Sequence, residues 1–131
     1  MRIVFDAYAL MAYFRREPSH LVVRNLLAET LDGTHEASMS VINLGELYYM
    51  QYRKGSPAKA EACLNFVRRA RITVEPATEQ RVMAAARVKA MISLSYADAF
   101  AASLTRELGA TLVTGDPEYK PLEQAINILW L

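Results

Sequence analysis

The chain opens with Arg2-Ile3-Val4-Phe5-Asp6, in which β-branched and aromatic side chains end abruptly at a carboxylate. The unbroken apolar run before Asp6 predicts a short strand that is buried on both faces. A carboxylate removed from water beside such a strand costs free energy unless it is paired or binds a metal. Asp6 is therefore the first candidate functional residue.

Short apolar segments of the same kind recur along the chain, and helical patterns separate them. The predicted strands cover residues 2–5, 36–39, 72–75, 111–114 and 126–130. The predicted helices cover residues 8–15, 20–31, 41–53, 57–71, 79–91 and 96–108. This alternation favours the α/β class, with a parallel sheet covered by helices on both faces. A length of 131 residues predicts one domain, residues 1–131.

Polar residues mark the predicted ends of these helices. Good N-cap residues precede five of the helical segments, namely Ser19, Ser40, Ser56, Thr78 and Ser95. Pro57 fits the first position of its helix, and Gly109 fits the position just beyond the end of the last one. Local sequence thus supports the same helix boundaries as the apolar pattern.

Composition limits the class of protein. Hydrophobic residues make up 53% of the chain and charged residues 22%, and the net charge is about +1, so no global field attracts nucleic acid. Charged residues interrupt every apolar run well below the roughly 18 residues of a membrane span. Cys63 is the only cysteine, which rules out an intramolecular disulfide and fits a reducing cytoplasm. We expect a cytoplasmic protein without a membrane segment.

Three more acids interrupt apolar surroundings in the way that Asp6 does. Glu46 lies within residues 41–49, Asp98 within residues 96–102, and Asp116 ends the fourth predicted strand. In a parallel α/β sheet, ligands bind at the carboxyl ends of the strands, where Asp6 and Asp116 are predicted. Four carboxylates converging there would require a divalent cation, which points to phosphate chemistry.

Each acid taken alone also has a structural explanation. Asp98 forms an S-x-x-D capping pattern with Ser95, and Asp116 before a proline is a common turn residue. Glu46 could be a solvated helix residue, although its apolar neighbours leave little polar face. Asp6 is the hardest of the four to explain by structure. A structural role for all four together would be a much larger coincidence than for any one.

The segments that contain these acids resemble the acidic signatures of PIN-domain nucleases, and the VapC-like toxin type is the most similar. The matching segments are Phe5-Asp6-Ala7-Tyr8-Ala9-Leu10, Asn43-Leu44-Gly45-Glu46-Leu47, Tyr96-Ala97-Asp98-Ala99-Phe100 and Thr114-Gly115-Asp116. Each motif alone is weak, but their order and spacing in a chain of this length are fairly specific. The resemblance extends from residue 2 to about residue 130.

This resemblance implies a site and a function. It implies that Asp6, Glu46 and Asp98 are metal ligands, that Asp116 is a fourth and sometimes indirect ligand, and that Thr114 supplies a supporting hydroxyl. It also implies a three-layer α/β/α fold with a five-stranded parallel sheet in the order 3-2-1-4-5. Mg²⁺ or Mn²⁺, RNA cleavage, a homodimer and a cognate antitoxin of a type II toxin–antitoxin pair complete the expectation.

The chain departs from the family pattern at Ala7, where Ser or Thr usually follows the first acid. We expect this loss of a hydroxyl to tune activity without abolishing it. Basic residues near the predicted site are candidates for RNA-backbone contacts, namely Arg15, Arg16 and Lys120. Solvated helix ends are the simpler explanation for each of them. Metal-assisted hydrolysis would leave a 5′-phosphate and a 3′-hydroxyl.

Two other functions fit parts of the pattern. A non-catalytic PIN-fold RNA-binding or assembly module would keep the fold, but the presence of all four acids argues against it. A receiver-type phospho-acceptor domain needs paired acids after the first strand, whereas Ala-Tyr-Ala follows Asp6. Aromatic residues on one predicted helix indicate a dimer surface, namely Tyr48, Tyr49 and Tyr52 with Met50.

Overall fold

A five-stranded parallel sheet lies at the centre of the computed structural model, which describes all of residues 1–131. The strands are β1 (Arg2–Phe5), β2 (Glu36–Ser40), β3 (Ile72–Glu75), β4 (Thr111–Thr114) and β5 (Asn127–Trp130). Their order in the sheet is β3-β2-β1-β4-β5, and every neighbouring pair is parallel. This confirms the predicted class and strand order, with β2 one residue longer and β5 starting one residue later than predicted.

All six predicted helices are present. They are α1 (Ala7–Phe14), α2 (His20–Leu31), α3 (Val41–Lys54), α4 (Pro57–Arg69), α5 (Glu79–Met91) and α6 (Tyr96–Leu108). The α4 helix ends two residues before the predicted position, and Arg71 beyond it has a positive φ of 60°. A 3₁₀ helix over Pro117–Leu122 was predicted only as a turn. None of the helices has the length and apolar character needed to cross a membrane.

Four of the five predicted N-caps are confirmed, because Ser40, Ser56, Thr78 and Ser95 each accept a backbone N–H of the helix that follows. The prediction for Ser19 is wrong, since its side chain makes no capping bond. N-cap residues usually have extended backbone, whereas Ser19 has φ −82° and ψ 0°. Beyond α6, Gly109 adopts the predicted left-handed conformation with φ 59°.

Two hydrophobic cores lie on opposite faces of the sheet because side chains alternate along each strand. Ile3 and Phe5 belong to the core formed with α1 to α4, which also contains the buried Cys63. Val4 and Leu112 belong to the core formed with α5 and α6. Because β1 and β4 are parallel neighbours, their carboxyl ends lie side by side at one end of the sheet.

Candidate metal centre

Asp6 lies at the carboxyl end of β1 and is almost fully buried, with 1% of its surface exposed. One carboxylate oxygen, Oδ1, accepts the backbone N–H of Ala9 at 2.9 Å and so caps α1. The other oxygen, Oδ2, accepts the hydroxyl of Thr114 at 2.6 Å. Because β1 and β4 are parallel neighbours, two residues that are 108 positions apart in sequence meet at the carboxyl end of the sheet.

Thr114 also organises the turn that carries Asp116. Its hydroxyl oxygen accepts the backbone N–H of Asp116 at 3.0 Å, and its O–H donates a hydrogen bond to Asp6. The carboxylate of Asp116 accepts the backbone N–H of Glu118 at 2.9 Å and starts the 3₁₀ helix. Asp116 is a turn residue, as its local sequence indicated, and the same turn places it beside the buried acids.

Asp98 extends from the first turn of α6 and is 6% exposed. Its backbone N–H donates to the Ser95 hydroxyl at 3.1 Å, so Ser95 is the cap of this helix. The Asp98 carboxylate does not take part in that cap; its Oδ1 instead accepts the Tyr119 hydroxyl at 2.9 Å. Its Oδ2 is buried and has no hydrogen-bond partner. Helix capping therefore explains the backbone of Asp98 but leaves its carboxylate unexplained.

Glu46 is half-buried in the second turn of α3, on the same side of the molecule as the other acids. Burial raises its pKa, the neighbouring Asn43 opposes the shift, and the charges of Asp116 and Glu118 add to it. Asn43 is fully buried and donates to the Ala97 carbonyl at 3.0 Å, which ties α3 to the start of α6. This contact fixes the helix that carries Glu46 against the helix that carries Asp98.

A fifth acid, Glu118, was missed by the sequence analysis. One carboxylate oxygen from each of Asp98, Asp116 and Glu118 lies within 4.8 Å of the other two. Glu118 is exposed and occupies the first turn of the 3₁₀ helix. The only available signal was its position two residues after Asp116, in a segment that the sequence indicated as a simple turn.

The electrostatics of this cluster are unfavourable without a cation. Burial raises the pKa of Asp6 to about 7, against the opposing bonds from Thr114 and Ala9. Burial first, and then the nearby carboxyl group of Glu118, raise the pKa of Asp98 to about 7. None of the ion pairs in the protein involves an acid of this cluster. An all-oxygen donor set with an unpartnered buried oxygen fits a hard divalent cation.

The chain also has a match among known protein families. A model of the PIN domain family matches residues 3–123. This chain belongs to the PIN domain family. No curated protein matches the chain.

Solved structures of toxin–antitoxin proteins share the fold of this PIN domain. VapBC2 from Rickettsia felis, bound to a promoter DNA fragment, is 17% identical, with 100% of this chain and 99% of that chain covered and a TM-score of 0.75. VapC20 from Mycobacterium tuberculosis, a sarcin-ricin loop cleaving toxin, is 15% identical, with 95% of each chain covered and a TM-score of 0.74. DNA-bound VapBC from Salmonella typhimurium is 18% identical, with coverages of 98% and 97% and a TM-score of 0.74. Identities this low establish the fold alone.

The predicted RNA-contact residues lie in different surroundings. Arg15 lines an open groove of about 630 Å³, together with Phe14 and Phe66, and none of the acids of the cluster lines it. Arg16 is exposed, and Lys120 places its Nζ 5.1 Å from the Trp130 ring. None of the three makes a hydrogen bond or an ion pair with the acids of the cluster, so their contact with RNA stays a prediction.

Tyr8 is a partly exposed aromatic side chain beside the turn that carries Asp116. It is 41% exposed, and it packs so closely on Gly115 that a Cβ atom added there would lie 2.5 Å from the Tyr8 ring. Glycine at position 115 therefore allows the ring to lie against the turn between Thr114 and Asp116. This places a partly exposed aromatic surface beside the candidate metal centre.

Proposed function

We propose that this PIN domain is a divalent-metal-dependent endoribonuclease and the toxin of a type II toxin–antitoxin pair. The observation that carries the proposal is the convergence of acids from β1, α3, α6 and the turn after β4 without a basic partner. Five acids form this set, namely Asp6, Glu46, Asp98, Asp116 and Glu118. Ionised carboxylates in a folded core are normally paired with a basic group, whereas no basic group forms an ion pair with any of these acids.

The residues present fit Mg²⁺ or Mn²⁺, because both prefer oxygen ligands and the cluster has no histidine or cysteine. Asp98, Asp116 and Glu118 would hold the cation through carboxylate oxygens, with Asp6 and Glu46 completing the negative site. A bound divalent cation supplies Lewis-acid chemistry, since it lowers the pKa of water and neutralises charge on a phosphate. No covalent protein intermediate is required.

The protein's own residues prepare this site before any ligand arrives. Thr114 holds Asp6 and the Asp116 turn in one hydrogen-bonded chain, so the acids of β1 and β4 keep a fixed separation. Ala7, which is buried, contributes no hydroxyl at the position after Asp6. Fixed carboxylates reduce the reorganisation needed when charge develops on a phosphodiester, which is the usual source of electrostatic catalysis.

RNA is the proposed substrate, and both the family and the activities of structural neighbours support it. One of them is a toxin that cleaves the sarcin-ricin loop, and others were solved as VapBC complexes. The same complexes support a cognate antitoxin as partner. A cytoplasmic location is part of this proposal, because both RNA and such an antitoxin would be met there.

A homodimer is also proposed, on the outer surface of α3. Tyr49 and Tyr52 are about half exposed, at 49% and 50%. The other predicted contact residues are engaged within the chain, since the Tyr48 hydroxyl donates to Glu61 and Met50 packs on the core. We therefore propose that the dimer surface centres on Tyr49 and Tyr52.

The decisive experiment compares Asp98→Asn with wild type on single-stranded RNA, in chelator-treated protein to which Mg²⁺ or Mn²⁺ is returned. We expect the variant to lose at least a hundredfold in cleavage rate while keeping a native circular dichroism spectrum. Glu36→Gln, an exposed acid in an ion pair with Arg2, is the matched control and should cleave normally. Equal rates for Asp98→Asn and wild type would refute the site. RNA binding without cleavage in all three proteins would favour the non-catalytic module instead.

A further inference from the structure

A single tyrosine hydroxyl extends into the acidic cluster from the hydrophobic core. Tyr119 has 0% of its surface exposed and is the largest of the fully buried side chains. Its ring belongs to the core formed with α5 and α6, whereas its hydroxyl donates to Asp98 Oδ1 at 2.9 Å. A phenylalanine would fill the same core, so packing does not explain the hydroxyl.

The position of this hydroxyl is set by the turn that carries Asp116. The Tyr119 backbone N–H donates to the Asp116 carbonyl at 3.3 Å, within the 3₁₀ helix that the Asp116 side chain caps. Leu122, in the same 3₁₀ helix, is buried in the same core. The segment after β4 thus supplies two acids, Asp116 and Glu118, and also the hydroxyl that donates to Asp98 of α6.

This bond makes the two oxygens of Asp98 different. Oδ1 is occupied by the Tyr119 hydroxyl, and Oδ2 is buried without a partner. A hydrogen bond to one oxygen restricts rotation of the carboxylate group, so the other oxygen has a fixed orientation. Asp6 differs in this respect, because the Thr114 hydroxyl occupies its Oδ2 and the Ala9 N–H occupies its Oδ1.

We propose that Tyr119 is a positioning residue for the cation site, and that its hydroxyl holds Asp98 so that Oδ2 is presented to a divalent cation. This inference rests on the proposed function. Residues that orient metal ligands through hydrogen bonds typically change metal affinity by about 10- to 100-fold when they are removed. The hydroxyl of Tyr119 should have an effect of that size, although it is not itself a ligand.

The test is Mn²⁺ binding to Tyr119→Phe, measured by isothermal titration calorimetry at pH 8 and by electron paramagnetic resonance of free Mn²⁺. We expect the dissociation constant to rise by about 10- to 100-fold relative to wild type. Circular dichroism and the melting temperature in EDTA establish that the variant is folded. Neither readout depends on RNA cleavage.

Two control variants separate positioning from general loosening of the structure. Thr105→Val removes another buried hydroxyl from α6, one that donates only to the Ala101 carbonyl at 2.8 Å. Leu122→Val loosens packing in the 3₁₀ helix and leaves the Tyr119 hydroxyl in place. Both should bind Mn²⁺ within about twofold of wild type, even where they melt at a lower temperature.

The outcomes are distinct. Unchanged Mn²⁺ affinity in Tyr119→Phe, or an equal loss in Leu122→Val, would overturn the inference and leave the proposed function standing. Failure of Tyr119→Phe to fold, while Leu122→Val folds, would assign the hydroxyl to folding and also overturn it. Wild-type protein that binds no Mn²⁺ would overturn the proposed function and this inference together.

Discussion

Replacing Asp6 by Asn removes a charge that the fold holds out of water beside other acids. Burial raises the pKa of Asp6 from 3.8 to about 7. At about 1.4 kcal/mol per pKa unit, ionising this carboxyl in the metal-free protein costs roughly 4 kcal/mol. Asn cannot accept both the Thr114 and the Ala9 hydrogen bonds, and the lost bond costs about 1 kcal/mol. We therefore expect Asp6→Asn to be more stable than wild type by about 3 kcal/mol at pH 8.

The pH dependence provides the sharper test of this reasoning. Between the unfolded pKa of 3.8 and the folded pKa of about 7, the folded state holds a proton that the unfolded state has released. The contribution of Asp6 to the free energy of unfolding of wild type therefore falls as pH rises through this window, and it is constant above the folded pKa. Asp6→Asn lacks this pH-dependent loss but keeps the cost of the lost hydrogen bond, so it should be about 1 kcal/mol less stable than wild type near pH 4 and more stable than wild type by pH 7.

Urea unfolding of chelator-treated protein at several pH values between 4 and 9 measures this difference directly. Asp32→Asn is a matched control, because hydrogen bonds from Thr34 lower the pKa of this exposed carboxyl. Replacing Asp32 by Asn should lower the free energy of unfolding above about pH 4, a change opposite in sign to the one expected for Asp6→Asn. The reasoning fails if Asp6→Asn is no more stable than wild type at pH 8, or if the difference does not change with pH.

Three further predictions concern the bound states of the protein. Mg²⁺ or Mn²⁺ at a hundred times its dissociation constant should raise the free energy of unfolding of wild type by about 2.7 kcal/mol. Excess EDTA should abolish RNA cleavage, and added Zn²⁺ should not restore it. Full cleavage activity in EDTA would contradict metal dependence. Sedimentation at micromolar concentration should show a dimer, and Tyr49→Glu with Tyr52→Glu should produce a folded monomer. A protein partner that inhibits by placing an Arg in the acidic cluster should bind Asp6→Asn more weakly and compete with Mg²⁺; unchanged affinity would place inhibition elsewhere.

Local sequence predicted the elements of this fold because their physical causes are local. The apolar strands, four of the five hydroxyl caps and the left-handed Gly109 are all specified within a few residues of the feature they set. Ser19 is the exception, since its backbone conformation depends on how the chain enters α2. The 3₁₀ helix after Asp116 was also missed, because Pro117 and Glu118 fit a simple turn equally well.

The candidate site was predicted only in part. Asp6 and Asp116 could be assigned to the carboxyl end of the sheet, because each directly follows an apolar strand and parallel strands all end on the same side. Glu46 and Asp98 could be singled out because they interrupt apolar helices. These inferences need the order of elements along the chain and no knowledge of individual contacts.

The contacts themselves were decided by the tertiary structure. The bond from Thr114 to Asp6 forms because β1 and β4 are neighbours in the sheet, although 108 residues separate the partners. The bond from Tyr119 to Asp98 joins the 3₁₀ helix to α6, and it exists only because both pack on one core. The sequence indicates which acids interrupt apolar segments. Packing between distant segments decides which of these acids are buried and which of their oxygens accept hydrogen bonds, because both depend on distances that no local pattern records.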